Sequence, residues 1–247
     1  MGDHINALAA GPGQGAAPAE NDGFVRGSQL YRRHLKDPET PSEFELLGRR
    51  WTLLKGVFSP VYTPVTELFT SWLPYPEGGT VLEMGSGTGV TAVTAALMGC
   101  AVTALDISQA AVDNTRANAV RHRVAQRVDV RLSDLFDALD PDEKFDLIYW
   151  NSNFALAPRD FVTETDLQYA FFDPGYETHR RFLAGVGRHL TEGGRLLLGF
   201  SDLGSWSELH AACHSAGLVA DVFRAQRHYL EVPIEFQLVE LRPGCSP

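Results

Sequence analysis

Apolar positions along the chain follow two periods. Short continuous runs, Val81-Leu82-Glu83-Met84, Ala101 to Leu105, Val128 to Leu132, Phe145 to Trp150 and Arg195 to Phe200, are bounded by turn residues and predict buried strands. Between them lie helical spacings. A helix follows Gly89, another runs from Ser108 to Val120, and a third from Gly175 to Leu190 is closed by Gly193-Gly194. A fourth runs from Ser205, a plausible cap, to about Ala216, with Gly217 beyond its end. Strand–helix alternation predicts a parallel sheet with helices on both faces. The last apolar runs, Val219 to Phe223 and Ile234 to Leu241, have no helix between them and are expected to pair antiparallel across His228 to Pro233. The fold class is α/β, a mostly parallel sheet with a terminal antiparallel hairpin.

The N-terminal part reads differently. Met1 to about Gly23 is rich in Gly, Ala and Pro without apolar period, and is expected to be mobile unless a ligand orders it. Residues 24–60 are amphipathic and predict two or three short helices broken at Pro38 and Pro41, forming a cover for one sheet face or a lid over a site. Val65, Leu68, Phe69 and Trp72 then predict a helix from Pro64 to about Leu73. Residues 61–242 form the main domain.

The chemistry gathers at strand ends. The first buried strand breaks into Gly85-Ser86-Gly87-Thr88-Gly89 and then a helix, a turn whose missing Cβ atoms let backbone approach a ligand. The spacing is G-x-G-x-G, with acidic Glu83 two residues ahead and Val90 where a dinucleotide fingerprint has its third glycine. The second strand ends at Asp106, for which ribose binding and helix capping are both open. The third ends at Ser133-Asp134-Leu135, and the fourth runs into Asn151-Ser152-Asn153-Phe154. Ligands of such sheets bind outside the carboxyl ends of the strands. Residues 155–174 are too long for an ordinary connection and interleave acids with aromatics, which marks a substrate-recognition insert suited to a cationic group.

Composition narrows the partners. The net charge of −10 argues against a broad footprint for nucleic acid or anionic membrane, and no apolar run is long enough to span a bilayer. Cys100, Cys213 and Cys245 lack metal-ligand spacing and read as thiols of a reducing, cytoplasmic compartment. No metal is expected.

The glycine motif with Glu83 resembles that of class I S-adenosyl-L-methionine-dependent methyltransferases. The proline-rich turn and Thr66-Glu67 ahead of it, and the Asn151 corner, narrow the resemblance to the release-factor glutamine methyltransferases, over roughly Val57 to Arg242. It implies a Rossmann-like sheet of seven strands and S-adenosyl-L-methionine held by Glu83, Gly85, Ser86, Gly87, Gly89, Asp106, Ile107, Asp134, Leu135 and Asn151. It also implies that Asn151, with the Ser152 carbonyl and Phe154 as a wall, places a nitrogen nucleophile by accepting its N–H hydrogens. That family reads Asn-Pro-Pro and then Tyr or Phe, whereas this chain has Ser152 and Asn153 in place of the prolines. With these polar groups, the expected acceptor is a nitrogen of a small polar molecule such as an amino acid, amine or guanidino compound. Tyr62, Asn153, Glu164, Asp166, Tyr169 and Phe172 are its expected contacts, and His179 is expected to be structural. Three alternatives are a protein glutamine methyltransferase, a nicotinamide-dependent oxidoreductase and a cofactor binder without catalysis.

Overall fold

The computed structural model describes residues 22–36 and 42–244. Helix α1 (Asp22–Lys36) comes first, then a hairpin of β1 (Glu43–Leu46) and β2 (Arg49–Thr52), then α2 (Val65–Trp72). The alternation follows: β3 (Thr80–Met84), α3 (Val90–Leu97), β4 (Ala101–Asp106), α4 (Gln109–Arg121), β5 (Val128–Leu132) and β6 (Phe145–Asn151). Strands β7 (Ala155–Ala157) and β8 (Phe172–Pro174) bracket the insert. The chain closes with α5 (Glu177–Val186), β9 (Leu190–Ser201), α6 (Trp206–Ser215), β10 (Leu218–Leu230) and β11 (Val232–Pro243).

Seven strands form one Rossmann-like sheet in the order β10-β11-β9-β6-β3-β4-β5. All but β11 run the same way, since β11 is antiparallel to both β9 and β10. Chain order reverses direction between β3 and β6, and connections there leave to opposite sides, opening a crevice beyond the strand ends. Alternation along β6 sends Leu147 and Tyr149 into the core under α2, α3 and α4, and Ile148 and Trp150 into the core under α5 and α6. A smaller apolar cluster joins α1 to the insert through Phe24, Leu30, Tyr31, Phe171 and Phe172.

Three expectations are corrected. Phe44 to Thr52 is not helical: Phe44 and Leu46 alternate with glutamates, and Leu47 and Gly48 turn the chain with φ of 51° and 67°, which makes a hairpin. Gly193-Gly194 does not close a helix but lies inside β9, where a Cβ on Gly194 would meet the Phe145 carbonyl oxygen at 2.9 Å. The terminal strands extend well past their apolar runs and meet at Glu231 alone, with φ of 60°. The expected mobile segment lies almost wholly outside the described residues, as do Pro38, Pro41 and Cys245. Cys100 and Cys213 are buried free thiols. Among the described residues no helix is long and apolar enough to cross a membrane, and no acid, histidine and cysteine cluster is placed to hold a metal.

Candidate active site

A cavity of about 790 Å³ lies at the sheet reversal. Its floor is the β3 end with Glu83, Gly85, Ser86 and Gly87, and its sides are Asp106 and Ile107, Asp134 and Leu135, and the corner from Asn151 to Phe154. Helix α1 forms a further wall with Arg26, Leu30 and Arg33, while Tyr62, Asp166, Tyr169 and the hairpin tip at Leu230 and Glu231 complete the rim.

The glycine loop is held by acids on both sides. Gly87 has φ of +54° and no atom within 4 Å of where a Cβ would stand, so its backbone is bare toward the cavity. Its N–H donates to Asp106 Oδ2 at 2.9 Å, while Asp106 Oδ1 accepts the Ser108 N–H ahead of α4 at 2.9 Å. Burial pushes the Asp106 carboxyl up from its ordinary range, and the backbone N–H groups of Gly87, Ser108 and Ile107 counter it. Glu83 does different work. Gly89 is the residue ahead of α3 and has no side chain to cap it, so Glu83 Oε2 accepts the Ala92 N–H in the first turn at 2.7 Å. Burial pushes the Glu83 pKa up to about 8, against hydrogen bonds from Thr91 and Ala92.

Helix α4 supports the loop from behind through residues that the apolar pattern conceals. Asn114 and Asn118, fully buried and one turn apart, accept the Leu54 N–H at 2.7 Å and the Thr52 N–H at 2.8 Å. Asn118 Nδ2 also donates to the Thr88 carbonyl at 2.8 Å, and the Thr115 hydroxyl reaches Ser86 Oγ at 3.0 Å. These side chains lock the glycine loop to the end of β2. Their signal in the sequence is a polar stripe, Asn114, Thr115 and Asn118, on a helix face that packing requires to be buried.

The Asn151 corner begins at the last residue of β6. The Ser152 hydroxyl donates to the Gly199 carbonyl at 2.8 Å and its N–H to the same oxygen at 3.3 Å. Asn153 Nδ2 donates to the Phe172 carbonyl at 2.8 Å. Two hydrogen-bonded side chains thus stiffen a corner that lacks prolines. The Asn151 amide, by contrast, has no hydrogen-bond partner among the described residues and borders the cavity.

Several expected site residues stand elsewhere. Gly89 faces α4, where a Cβ would lie 2.8 Å from Thr115 Cα, so it is a packing glycine. Phe172 is buried in the insert cluster, and Glu164 is exposed outside the cavity lining. Asp134 borders the cavity, but its carboxylate is paired with Arg181 at 2.9 Å. His179 is fully buried, with Nδ1 2.6 Å from Asp173. Burial raises the Asp173 carboxyl, yet His179 and the N–H groups of Thr178 and His179 outweigh it and hold its pKa below the ordinary value. The pair anchors the start of α5 and stays out of the cavity.

A family profile described as a methyltransferase domain matches residues 81–194. The release factor glutamine methyltransferase of Cereibacter sphaeroides is 37% identical over 161 residues, covering 61% of this chain and 56% of the relative. That of Rhodopirellula baltica is 32% identical, covering 56% of this chain and 54% of the relative. Residues 81–194 are thus similar to a methyltransferase domain, and this chain to the release factor glutamine methyltransferases over about 60% of its length. The chain spans about half the length of these curated relatives. Its fold is also that of a Thermus thermophilus 16S rRNA N2 G1207 methyltransferase solved with AdoMet and guanosine, at TM-score 0.58 and 19% identity, covering 83% of this chain and 52% of the other. S-adenosylmethionine is the cofactor of such a domain, and the cavity fits it: Gly87 leaves backbone bare, Asp106 offers a buried carboxylate, and Ile107 and Leu135 give apolar flanks.

The expected small-molecule acceptor, with nucleic acid excluded, is corrected by these findings. The matched relatives are named for methylating a release factor, a macromolecular acceptor. The small-molecule reading rested on Ser152 and Asn153 as free polar groups, whereas both donate to backbone carbonyls of the protein itself, those of Gly199 and Phe172.

Proposed function

We propose that this methyltransferase transfers a methyl group to the side-chain amide nitrogen of a glutamine in a protein acceptor of release-factor type. The observation that carries the reading is the Asn151 amide, unpartnered on a stiffened corner beside the glycine loop. Bound S-adenosylmethionine supplies an electrophilic methyl group on a sulfonium that leaves as a neutral thioether. An amide nitrogen is a weak nucleophile because its lone pair is delocalised, so the protein's task is orientation and exclusion of water. Asn151 Oδ1 accepts one N–H of the acceptor amide and turns the nitrogen's face toward the methyl group. Ser152 and Asn153 hold that geometry by their inward hydrogen bonds, and Phe154 supplies an apolar wall. The methylated nitrogen, briefly cationic and strongly acidic, then loses one proton to solvent.

The identity of the acceptor rests on the relatives named above and on the corner, whose missing prolines are offset by the Ser152 and Asn153 bonds. The test is incubation with S-adenosylmethionine and a purified bacterial peptide release factor, followed by tandem mass spectrometry. One added methyl group on a glutamine side chain is expected. Methylation of another residue type, or formation of S-adenosylhomocysteine only with non-protein acceptors, would overturn the reading.

A further inference from the structure

Helix α1 is built to press against the acceptor corner. Gly23, Arg26, Gly27, Leu30 and Arg33 share one helical face and all border the cavity. Glycine is disfavoured inside a helix, and here it permits close approach. A Cβ on Gly23 would stand 2.1 Å from the Leu203 carbonyl oxygen, and one on Gly27 would stand 3.0 Å from Phe172 Cε1 and 3.4 Å from Ala155 Cβ. Arg26, between those glycines, is thereby set against the chain that follows Asn153.

Arg26 is half-buried and has neither ion pair nor hydrogen bond among the described residues. That is a costly place for a lone guanidinium, which cannot shed its charge. The other half-buried arginines, Arg131, Arg180 and Arg195, each pair with a carboxylate, and the remaining arginines without such a partner are exposed. On the same face Arg33 already lies over the Tyr62 ring at 4.8 Å, and across the cavity Asp134 is taken by Arg181. Arg26 thus brings an uncompensated positive charge to the cavity wall.

We propose that Arg26 is the carboxylate-binding group of this cavity, its planar fork matching a carboxylate in two-point contact. Two sources offer that chemistry: the amino-acid carboxylate of the cofactor, and a carboxylate on the methyl acceptor. The acceptor source rests on the function proposed above, and the cofactor source does not.

Titration calorimetry on the full chain separates them. Wild type and Arg26→Gln are titrated with S-adenosylhomocysteine and with 5′-methylthioadenosine, which keeps the adenosine and thioether but lacks the carboxylate. If the carboxylate is the cofactor's, the variant binds S-adenosylhomocysteine at least about 10-fold more weakly and 5′-methylthioadenosine within about 2-fold of wild type, as for a lost charged hydrogen bond. If it is the acceptor's, both ligands bind as in wild type, and the KM for the release factor rises at least about 5-fold at unchanged kcat. Binding needs no turnover, so failure of the acceptor reading leaves this arm intact. Unchanged affinity for S-adenosylhomocysteine, with acceptor KM unchanged or no acceptor turned over, overturns the assignment. So does equal weakening for both ligands, which marks a general disturbance of the cavity.

Discussion

Replacing Glu83 with glutamine is expected to change how stability depends on pH, in a direction fixed by burial. Glu83 is enclosed at the end of β3 and its pKa is pushed from 4.5 to about 8. The folded chain therefore holds a proton there that the unfolded chain releases above pH 4.5. Stability from this group is fully present below the lower value and is lost as pH rises toward about 8, because the folded state binds more protons across that window. At about 1.4 kcal/mol per unit, the whole loss has an upper bound of ~5 kcal/mol. Glutamine keeps an oxygen for the Ala92 N–H and cannot ionise, so Glu83→Gln escapes the loss. Urea unfolding of cofactor-free wild type and variant, from about pH 5 to about pH 8.5, reads the difference directly. The variant should gain on wild type progressively with pH, by at least ~1 kcal/mol and at most ~5 kcal/mol across the window. A stability difference that stays constant with pH would refute the reasoning, placing Glu83 as an ordinary ionised carboxylate.

Asp106→Ala should weaken S-adenosylhomocysteine binding by roughly 1–3 kcal/mol, the scale for a charged hydrogen bond, in calorimetry on the folded variant. Unchanged affinity would leave Asp106 as a tie between Gly87 and Ser108 only. Ser152→Ala removes the hydroxyl bond to the Gly199 carbonyl and should cost about 0.5–1.5 kcal/mol of stability, measured in urea, while slowing turnover at unchanged cofactor affinity. Equal turnover would mean that the corner is stiff without that bond.

The sheet and its ligand edge were legible because buried parallel strands leave continuous apolar runs, and because the turn at Gly85 and Gly87 requires positive φ. The β1–β2 hairpin was hidden by its turn, since Leu47 adopts φ of 51° without the usual asparagine or glycine signal. Strand β10 was only half legible: residues 224–227 are exposed at the sheet edge and carry no apolar alternation. Within the site, Asn151 could be placed from its position at the end of β6, but the inward turn of Ser152 and Asn153 depends on Gly199 and Phe172, distant in sequence. The polar stripe of α4 is visible in the sequence, but its partners Thr52, Leu54 and Thr88 were unreadable because they come from other elements.

The account stands most directly on Asn151, and the measurement is single-turnover methyl transfer to the release factor by wild type and Asn151→Ala, beside calorimetry with S-adenosylhomocysteine. Loss of an interaction made at the reacting nitrogen should slow transfer by about 100-fold or more while cofactor affinity stays within about 3-fold. Transfer at the wild-type rate by Asn151→Ala, or slow transfer explained entirely by lost cofactor binding, would contradict the placing of the acceptor nitrogen by this corner.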